Sequence, residues 1–286
     1  MITSSLFGGL GNQMFIYAMV KAMALRNNTN FAFNQKYGFE KDDLYKRKLA
    51  LLDFNLKLPS SSVQVYDYPG GRYIRKISRG LGFNLLNPKC TFIKESRPFR
   101  FHEELLYLRN KNVYLEGYWQ SEKYFKDFTD IIKKDFQIKK NFSSDVYEEL
   151  DQIRELGDRA VMLGVRRYQE SLSAPGGVLN EAYYNKAMEI IASKITSPVF
   201  FVFSQDKVWV QKHLSSKYEL IYIHTKEGDD RAIDDLFLME NFKYYIISNS
   251  SFYWWGAWLS NSDTKLVIAP DNFINPDSVC SNWLII

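Results

Sequence analysis

Five short apolar runs recur through the second half of the chain: Ala160–Val165, Val199–Phe203, Leu220–His224, Tyr244–Ser248 and Leu266–Ala269. Amphipathic stretches lie between them, near Glu181–Lys194, Lys207–Leu214, Ile233–Glu240 and Phe252–Leu259. Strand-length runs alternating with helical periodicity predict a doubly wound parallel sheet, because parallel neighbours need a crossover between them. The sharpest run is AVMLGV, ended abruptly by Arg166 and Arg167. Such a run suits a strand buried on both faces. The two arginines then stand just past its carboxyl end, the edge where open α/β sheets bind ligands. A guanidinium offers a planar fork of donors that matches a pair of phosphate oxygens. Taken alone, an Arg pair reads first as a surface salt bridge. Here, however, polar residues end every predicted strand: Arg166 and Arg167, Ser204 and Asp206, His224 and Thr225, Asn249 with Ser250 and Ser251, and Asp271. Their gathering on one edge of one sheet makes a site for a phosphorylated ligand the better reading.

A chain of 286 residues holds one large or two ordinary domains. The polar region at 140–158 predicts a division into residues 1–150 and 151–286. A net charge of +4 does not demand nucleic acid; it fits an anionic ligand or loose contact with an anionic membrane surface. Cys90 and Cys280 are far apart, and His102, His213 and His224 share no metal-ligand spacing, so no disulfide framework or zinc site is expected. Met1–Phe7 lacks the basic start of a signal peptide, and no apolar stretch is long enough to span a bilayer. The cytoplasm is the expected location, with at most peripheral membrane contact. The basic segment Arg72–Arg79 reads as a solvated helix face or, more sharply, as a membrane-surface or anionic-acceptor contact.

In the first half, Ile2–Phe7 reads as a strand followed by the tight turn Gly8-Gly9-Leu10-Gly11-Asn12-Gln13. Asn12 is placed to cap a helix with the stripe Phe15, Ala18, Met19, Ala22 and Met23. A strand, a glycine loop and a helix gather backbone amides at a helix start. As a dinucleotide fingerprint the loop is weak, since Met14 stands where a third glycine belongs. Asn30–Asn34 reads as a second strand, Lys41–Leu51 as a helix, Asn112–Tyr118 as a strand, and Glu122–Lys134 as a helix. A polar helix ends near Gly157.

Ser248-Asn249-Ser250-Ser251 precedes the helix Phe252–Leu259. It supplies an ordinary N-cap, or else amides and hydroxyls that hold a phosphate. With the Arg pair it would neutralise a diphosphate without a metal, and the chain has no Asp-x-Asp with which to hold one. Trp254, Ala257 and Trp258 share a helix face and read as core. Asp235 either caps its helix or accepts hydrogen bonds from a ligand base. Glu170, three residues beyond Arg167, is placed to take a proton from an incoming hydroxyl if its loop turns back; otherwise it is an exposed loop carboxylate. No Gly-x-Ser-x-Gly and no Cys/His pairing supports a nucleophilic enzyme.

Together these segments resemble glycosyltransferase family 11, the α-1,2-fucosyltransferases. GGLGNQMFIYAMVKAMA is similar to the family's GGLGNQMFQYA block, EGYWQSEKYF to its GYFQ…YF segment, and DLFLM with IISNSSFYWWGAWLS to its DL-x-LM and NS[ST]xSWW blocks. The order and spacing run nearly the whole chain. The resemblance implies an α/β, GT-B-like enzyme of two Rossmann-type domains facing across a cleft, residues 1–150 as the acceptor-side domain and residues 151–286 as the GDP-sugar-binding domain. It implies inverting, metal-independent transfer of L-fucose from GDP-β-L-fucose to the 2-hydroxyl of a galactoside in a surface glycan, with no cofactor. The family's His-x-Arg-Arg-x-Asp motif binds donor phosphates. Here both arginines match, but Gly164 holds the His position, Tyr168 the usual Gly position and Gln169 the Asp position.

The expected roles follow. Arg166 neutralises the leaving diphosphate, with Arg167 assisting or fixing the loop. Asn249, Ser250 and Ser251 hold phosphate or ribose, Asp235 lies by the guanine, and Gly9, Gly11, Asn12 and Gln13 face the donor from the first domain. Glu170 is the candidate base in place of the lost Asp. Two rivals stay open: a same-fold transferase using another GDP-sugar or acceptor, and a non-catalytic glycan- or nucleotide-binding descendant.

Overall fold

The computed structural model describes residues 1–40, 42, 46–61, 90–167, 177–214, 217–223, 231–273 and 275–286. Glu170, Tyr168, Gln169, His224, Thr225 and the basic segment 72–79 lie outside them. The chain forms two compact units, Met1–Gln137 and Ile138–Ile286. The division falls before the expected 150/151 because the helix Ser144–Leu156 belongs to the second unit. Its Asp145 and Glu149 grip Arg231, at 3.2 and 2.5 Å.

Unit 1 is built on a four-stranded parallel sheet of order β2-β1-β4-β3. Its strands are β1 (Ile2–Ser5), β2 (Phe31–Asn34), β3 (Thr91–Lys94) and β4 (Val113–Glu116). Because every pairing is parallel, the residues after Ser5, Asn34, Lys94 and Glu116 share one carboxyl edge. The helix Leu10–Arg26 is buried nearly all round rather than along one stripe; only Asn12, Lys21, Leu25 and Arg26 escape full burial. Aromatic side chains from β2 and from outside the sheet pack on it; Phe33 stacks on Tyr17. Phe125 packs on Phe15, and Phe136 on Tyr17 at 5.4 Å, while the Tyr17 hydroxyl donates to Asp135 at 2.8 Å. Residues 46–51 are not helical, against the expectation for Lys41–Leu51, and the segment after Glu122 is two 3₁₀ turns before a helix at Thr129–Asp135. Strand β3 was not foreseen.

Unit 2 carries a six-stranded parallel sheet of order β10-β9-β8-β5-β6-β7. Its strands are β5 (Ala160–Val165), β6 (Val199–Ser204), β7 (Glu219–Tyr222), β8 (Tyr244–Ile246), β9 (Leu266–Ala269) and β10 (Leu284–Ile285). All six residues of β5 and of β6 are buried, as expected for strands covered on both faces. Val161, Leu163 and Val165 face the helix Glu181–Ala192. Gly164, one residue out of phase, faces the helix Ser251–Leu259 on the other side. The expected α/β class therefore stands, with a parallel sheet in each unit.

Candidate functional site

Arg166 and Arg167 leave the carboxyl end of β5, both half-buried. Strand β8 pairs beside β5, Leu163 opposite Ile246, so the Ser248–Ser251 segment emerges at the same edge as the Arg pair. Helix Ser251–Leu259 starts there. Ser250 is its N-cap by position, but its hydroxyl makes no capping bond to the helix. The Asn249 side chain donates to Gly177 O at 3.2 Å, tying the segment to the residues just before the helix Glu181–Ala192. The Arg167 guanidinium lies over Trp209, 4.1 Å from the ring centroid, and donates to Leu179 O at 3.1 Å. A planar cation stacked on an indole is held in place as well as attracted. Arg167 is thus anchored on its own unit at the sheet edge.

Two of the polar strand ends serve the fold. The Ser204 hydroxyl accepts from Asp206 N at 3.1 Å, and Asp206 caps the helix Lys207–His213 through Trp209 N at 2.9 Å. Trp254, Trp255 and Trp258 are core, as expected; the Trp254 indole donates to Ser278 O at 2.7 Å and stacks on Trp258.

Tyr253 was missed in the sequence, and it explains Gly164. A Cβ at Gly164 would lie 2.7, 2.8 and 3.0 Å from three carbons of the Tyr253 ring. The Tyr253 hydroxyl donates to Phe203 O at 2.8 Å and reaches Val165 O at 3.4 Å, the carbonyl just before Arg166. In the motifs of the resemblance, Tyr253 stands where a serine is expected and Gly164 where a histidine is expected. The two departures meet in space: the phenol fills the volume a larger residue at 164 would claim. From the opposite face Tyr183 donates to Ile247 O at 2.6 Å. Buried hydroxyls on both faces thus satisfy backbone carbonyls at the strand ends, which cost free energy if left unpaired.

Asp235 is not the cap of its helix; Arg231 holds that position before Ala232–Met239. The Asp235 carboxyl is buried, with Oδ1 3.8 Å from the Arg231 Nε and no hydrogen bond to that oxygen. Arg231 is shared with Asp145 and Glu149, and neighbouring Asp234 binds Lys140 at 2.6 Å. Burial pushes the Asp235 carboxyl up to about 7; Arg231 and Lys207 pull it down while Glu149 and Asp234 push it up. This buried charge network was not legible from spacing.

On unit 1, Gly8 takes φ +76°, a turn that suits glycine, and Gly9 rather than Asn12 is the N-cap of the helix. Asn12 sits three residues further in and accepts from Gln120 at 2.7 Å. Gly11 is buried inside the first turn. Gln13 is wholly buried, and both hydrogens of its amide are taken, by Gly8 O and Lys48 O at 2.9 Å each; its oxygen accepts from Ala50 N at 3.0 Å. Its observed bonds tie the segment Lys48–Ala50 to the glycine turn. The Arg47 guanidinium lies against Gly9, 3.4 Å from where a Cβ would stand. Glu95, also missed, is buried at the same carboxyl edge and accepts from Tyr118 N and Trp119 N at 2.7 and 3.2 Å.

Among the described residues no cluster of three or more His, Cys, Asp or Glu could hold a metal ion, and no helix is long and apolar enough to cross a membrane. The family model "Glycosyl transferase family 11" matches residues 92–284. The chain belongs to glycosyl transferase family 11. It is a glycosyltransferase. Over 276 residues it is 30% identical to an α-1,2-colitosyltransferase of Escherichia coli, covering 94% of this chain and 91% of that one. It is 28% identical over 284 residues to the O-antigen biosynthesis glycosyltransferase WbnK of Escherichia coli, covering 93% of each. Human galactoside α-(1,2)-fucosyltransferase 1 matches at 25% over 185 residues, 62% of this chain and 50% of that protein. The matched segment includes both arginines at the β5 edge.

Proposed function

We propose that the chain transfers L-fucose from GDP-β-L-fucose, with inversion and without a metal, to the 2-hydroxyl of a galactoside in a surface glycan. The observation that carries this reading is the Arg pair at the end of β5, level with the start of the helix Ser251–Leu259. As the sugar–phosphate bond breaks, negative charge grows on the diphosphate. Arg166 supplies fixed positive charge there, and the first amides of the helix add partial positive charge. Arg167, held by Trp209 and Leu179, keeps the strand end in place and adds to the field. Asn249, Ser250 and Ser251 contact phosphate or ribose, and Asp235 holds the guanine side of the site through its buried network. Gly9, Gly11, Asn12 and Gln13 are further donor-binding residues in this reading, with Gln13 also bracing the glycine turn. The acceptor hydroxyl attacks from the face opposite the diphosphate and gives its proton to Glu170. No cofactor takes part, and the enzyme works in the cytoplasm with at most peripheral membrane contact.

A second reading has specific support. Colitose is L-fucose without its 3-hydroxyl, and a relative at 30% identity is named for transferring it. A GDP-colitose donor would present the same diphosphate to the same arginines. Release of GDP from GDP-fucose and from GDP-colitose, with and without lactose and in excess EDTA, tests both. Lactose-dependent release from GDP-fucose that survives EDTA is expected. Release from GDP-colitose alone would replace the donor, and no release from either would remove the proposal.

A further inference from the structure

Unit 1 has its own carboxyl edge, and Glu95, Gly117 and Trp119 there carry none of the roles given to the glycine turn. Glu95 follows β3, with its backbone N–H donating to Glu116 O at 2.8 Å. Glu95 is 6% exposed, and its carboxylate holds the turn Gly117–Trp119 through the Tyr118 and Trp119 amides. Trp119 adopts φ +58°, a left-handed conformation that is rare for a bulky residue. The residue is 1% exposed, and its indole Nε1 has no hydrogen-bond partner among the described residues. The indole Cε2 and the Glu95 Oε2 converge on Gly117, 3.0 and 2.8 Å from where a Cβ would stand. A buried carboxylate, a strained tryptophan and an unpaired indole N–H are a costly way to make a plain turn.

Beside Glu95 lies an open cavity of about 610 Å³, lined by Phe92, Lys94, Glu95, Ser96, Arg97 and Phe99. Lys94 is paired with Glu116. Arg97 is exposed, lies over the Phe99 ring at 5.7 Å, and has no ion-pair partner among the described residues. Phe92 stacks on Tyr114 by one face, 5.7 Å away. An anionic ligand would meet the Glu95 carboxylate, and a purely apolar one would leave Glu95 and Arg97 without new bonds. A sugar satisfies the whole set. Its hydroxyls donate to a carboxylate and accept from a guanidinium, while its C–H face packs on an aromatic ring.

We infer that this cavity of unit 1 binds the acceptor glycan, with Glu95 and Arg97 engaging hydroxyls of a neutral sugar ring that packs against Phe99. The inference rests on the proposal that the chain transfers a sugar to a glycan. Glu95 and Arg97 are binding residues here.

The test measures GDP release from GDP-fucose over concentration series of lactose and methyl β-galactoside, for wild type and for Glu95→Gln, Arg97→Ala and Phe99→Ala. Losing a hydrogen bond to a charged group raises the acceptor KM by about tenfold or more, while the donor KM and acceptor-independent GDP release stay within about twofold. Thermal unfolding is followed in parallel, because Glu95→Gln touches a buried turn. Arg97→Ala, at an exposed position, carries the test if Glu95→Gln does not fold. Wild type responding to galactosides while all folded variants keep their acceptor KM would overturn the subsite and leave the transferase proposal standing. Wild type responding to neither galactoside would overturn that proposal and the subsite with it.

Discussion

Replacing Gly164 by alanine adds a single methyl group, and the structure fixes where it goes. The new Cβ would stand 2.7–3.0 Å from the Tyr253 ring. Carbon atoms pack at about 3.5–4.0 Å, so the ring must retreat by about 1 Å. Tyr253 has little room, being 8% exposed and fixed at its far end by Phe203 O. Overpacking of this kind costs about 1–3 kcal/mol, and loss of the buried hydroxyl–carbonyl bond adds about 1–2 kcal/mol. For a unit of this size, with about 2–4 °C of Tm lost per kcal/mol, the transition should fall by roughly 4–20 °C. Tryptophan fluorescence during heating reads it, since Trp254, Trp255 and Trp258 lie on the same helix as Tyr253. Tyr253→Ser alone should destabilise by about 3–5 kcal/mol through the cavity it leaves. In the double variant Gly164→Ala with Tyr253→Ser the clash has gone, so its cost should be smaller than the sum of the singles by about 1–3 kcal/mol. A Gly164→Ala protein that melts within about 1 °C of wild type, or strict additivity in the double variant, refutes the pairing of these two positions.

Arg166→Ala should lose about 2–4 kcal/mol of transition-state stabilisation in GDP release, as removal of an electrostatic donor does elsewhere; near wild-type turnover would end its role at the diphosphate. Glu170→Gln should keep GDP-fucose affinity and cut turnover, and unchanged turnover would exclude it as the base. Asp235 carries a pH prediction. Its folded carboxyl is raised to about 7 from 3.8, chiefly by burial, so the folded state keeps a proton that the unfolded chain releases. Stability should therefore fall as pH rises from about 4 to about 7, by at most about 1.4 kcal/mol per unit, and then level off. Asp235→Asn should flatten that slope in urea unfolding at a series of pH values; an unchanged slope would assign it to other groups.

Much of unit 2 was written in local pattern. Strands β5 and β9 lie where the apolar runs placed them, and β6 differs by one residue at its end. The reason is physical: strands covered on both faces must be apolar throughout, and the helices between them must show one apolar face. Unit 1 was less legible. Strand β3 is a half-exposed edge strand whose TFIK has no such pattern, so Glu95 at its end drew no notice. The helix Leu10–Arg26 looked amphipathic and proved enclosed, because part of what covers it, Phe125 and Phe136, comes from more than a hundred positions away.

The amino-acid sequence by itself determined the parallel α/β architecture, the strand ends and the Arg pair at the principal edge. Periodicity and charge are local properties, and a reader of neighbours can see them. Only the tertiary structure decided which polar side chains are already spent. Gln13 and Asp206 bond within the protein, and Asp235 is locked beside Arg231. It also decided that Gly164 is small because Tyr253 is large, and that Glu95, Gly117 and Trp119 converge. Those facts depend on strand order and register, which bring distant residues together through packing that no local pattern encodes.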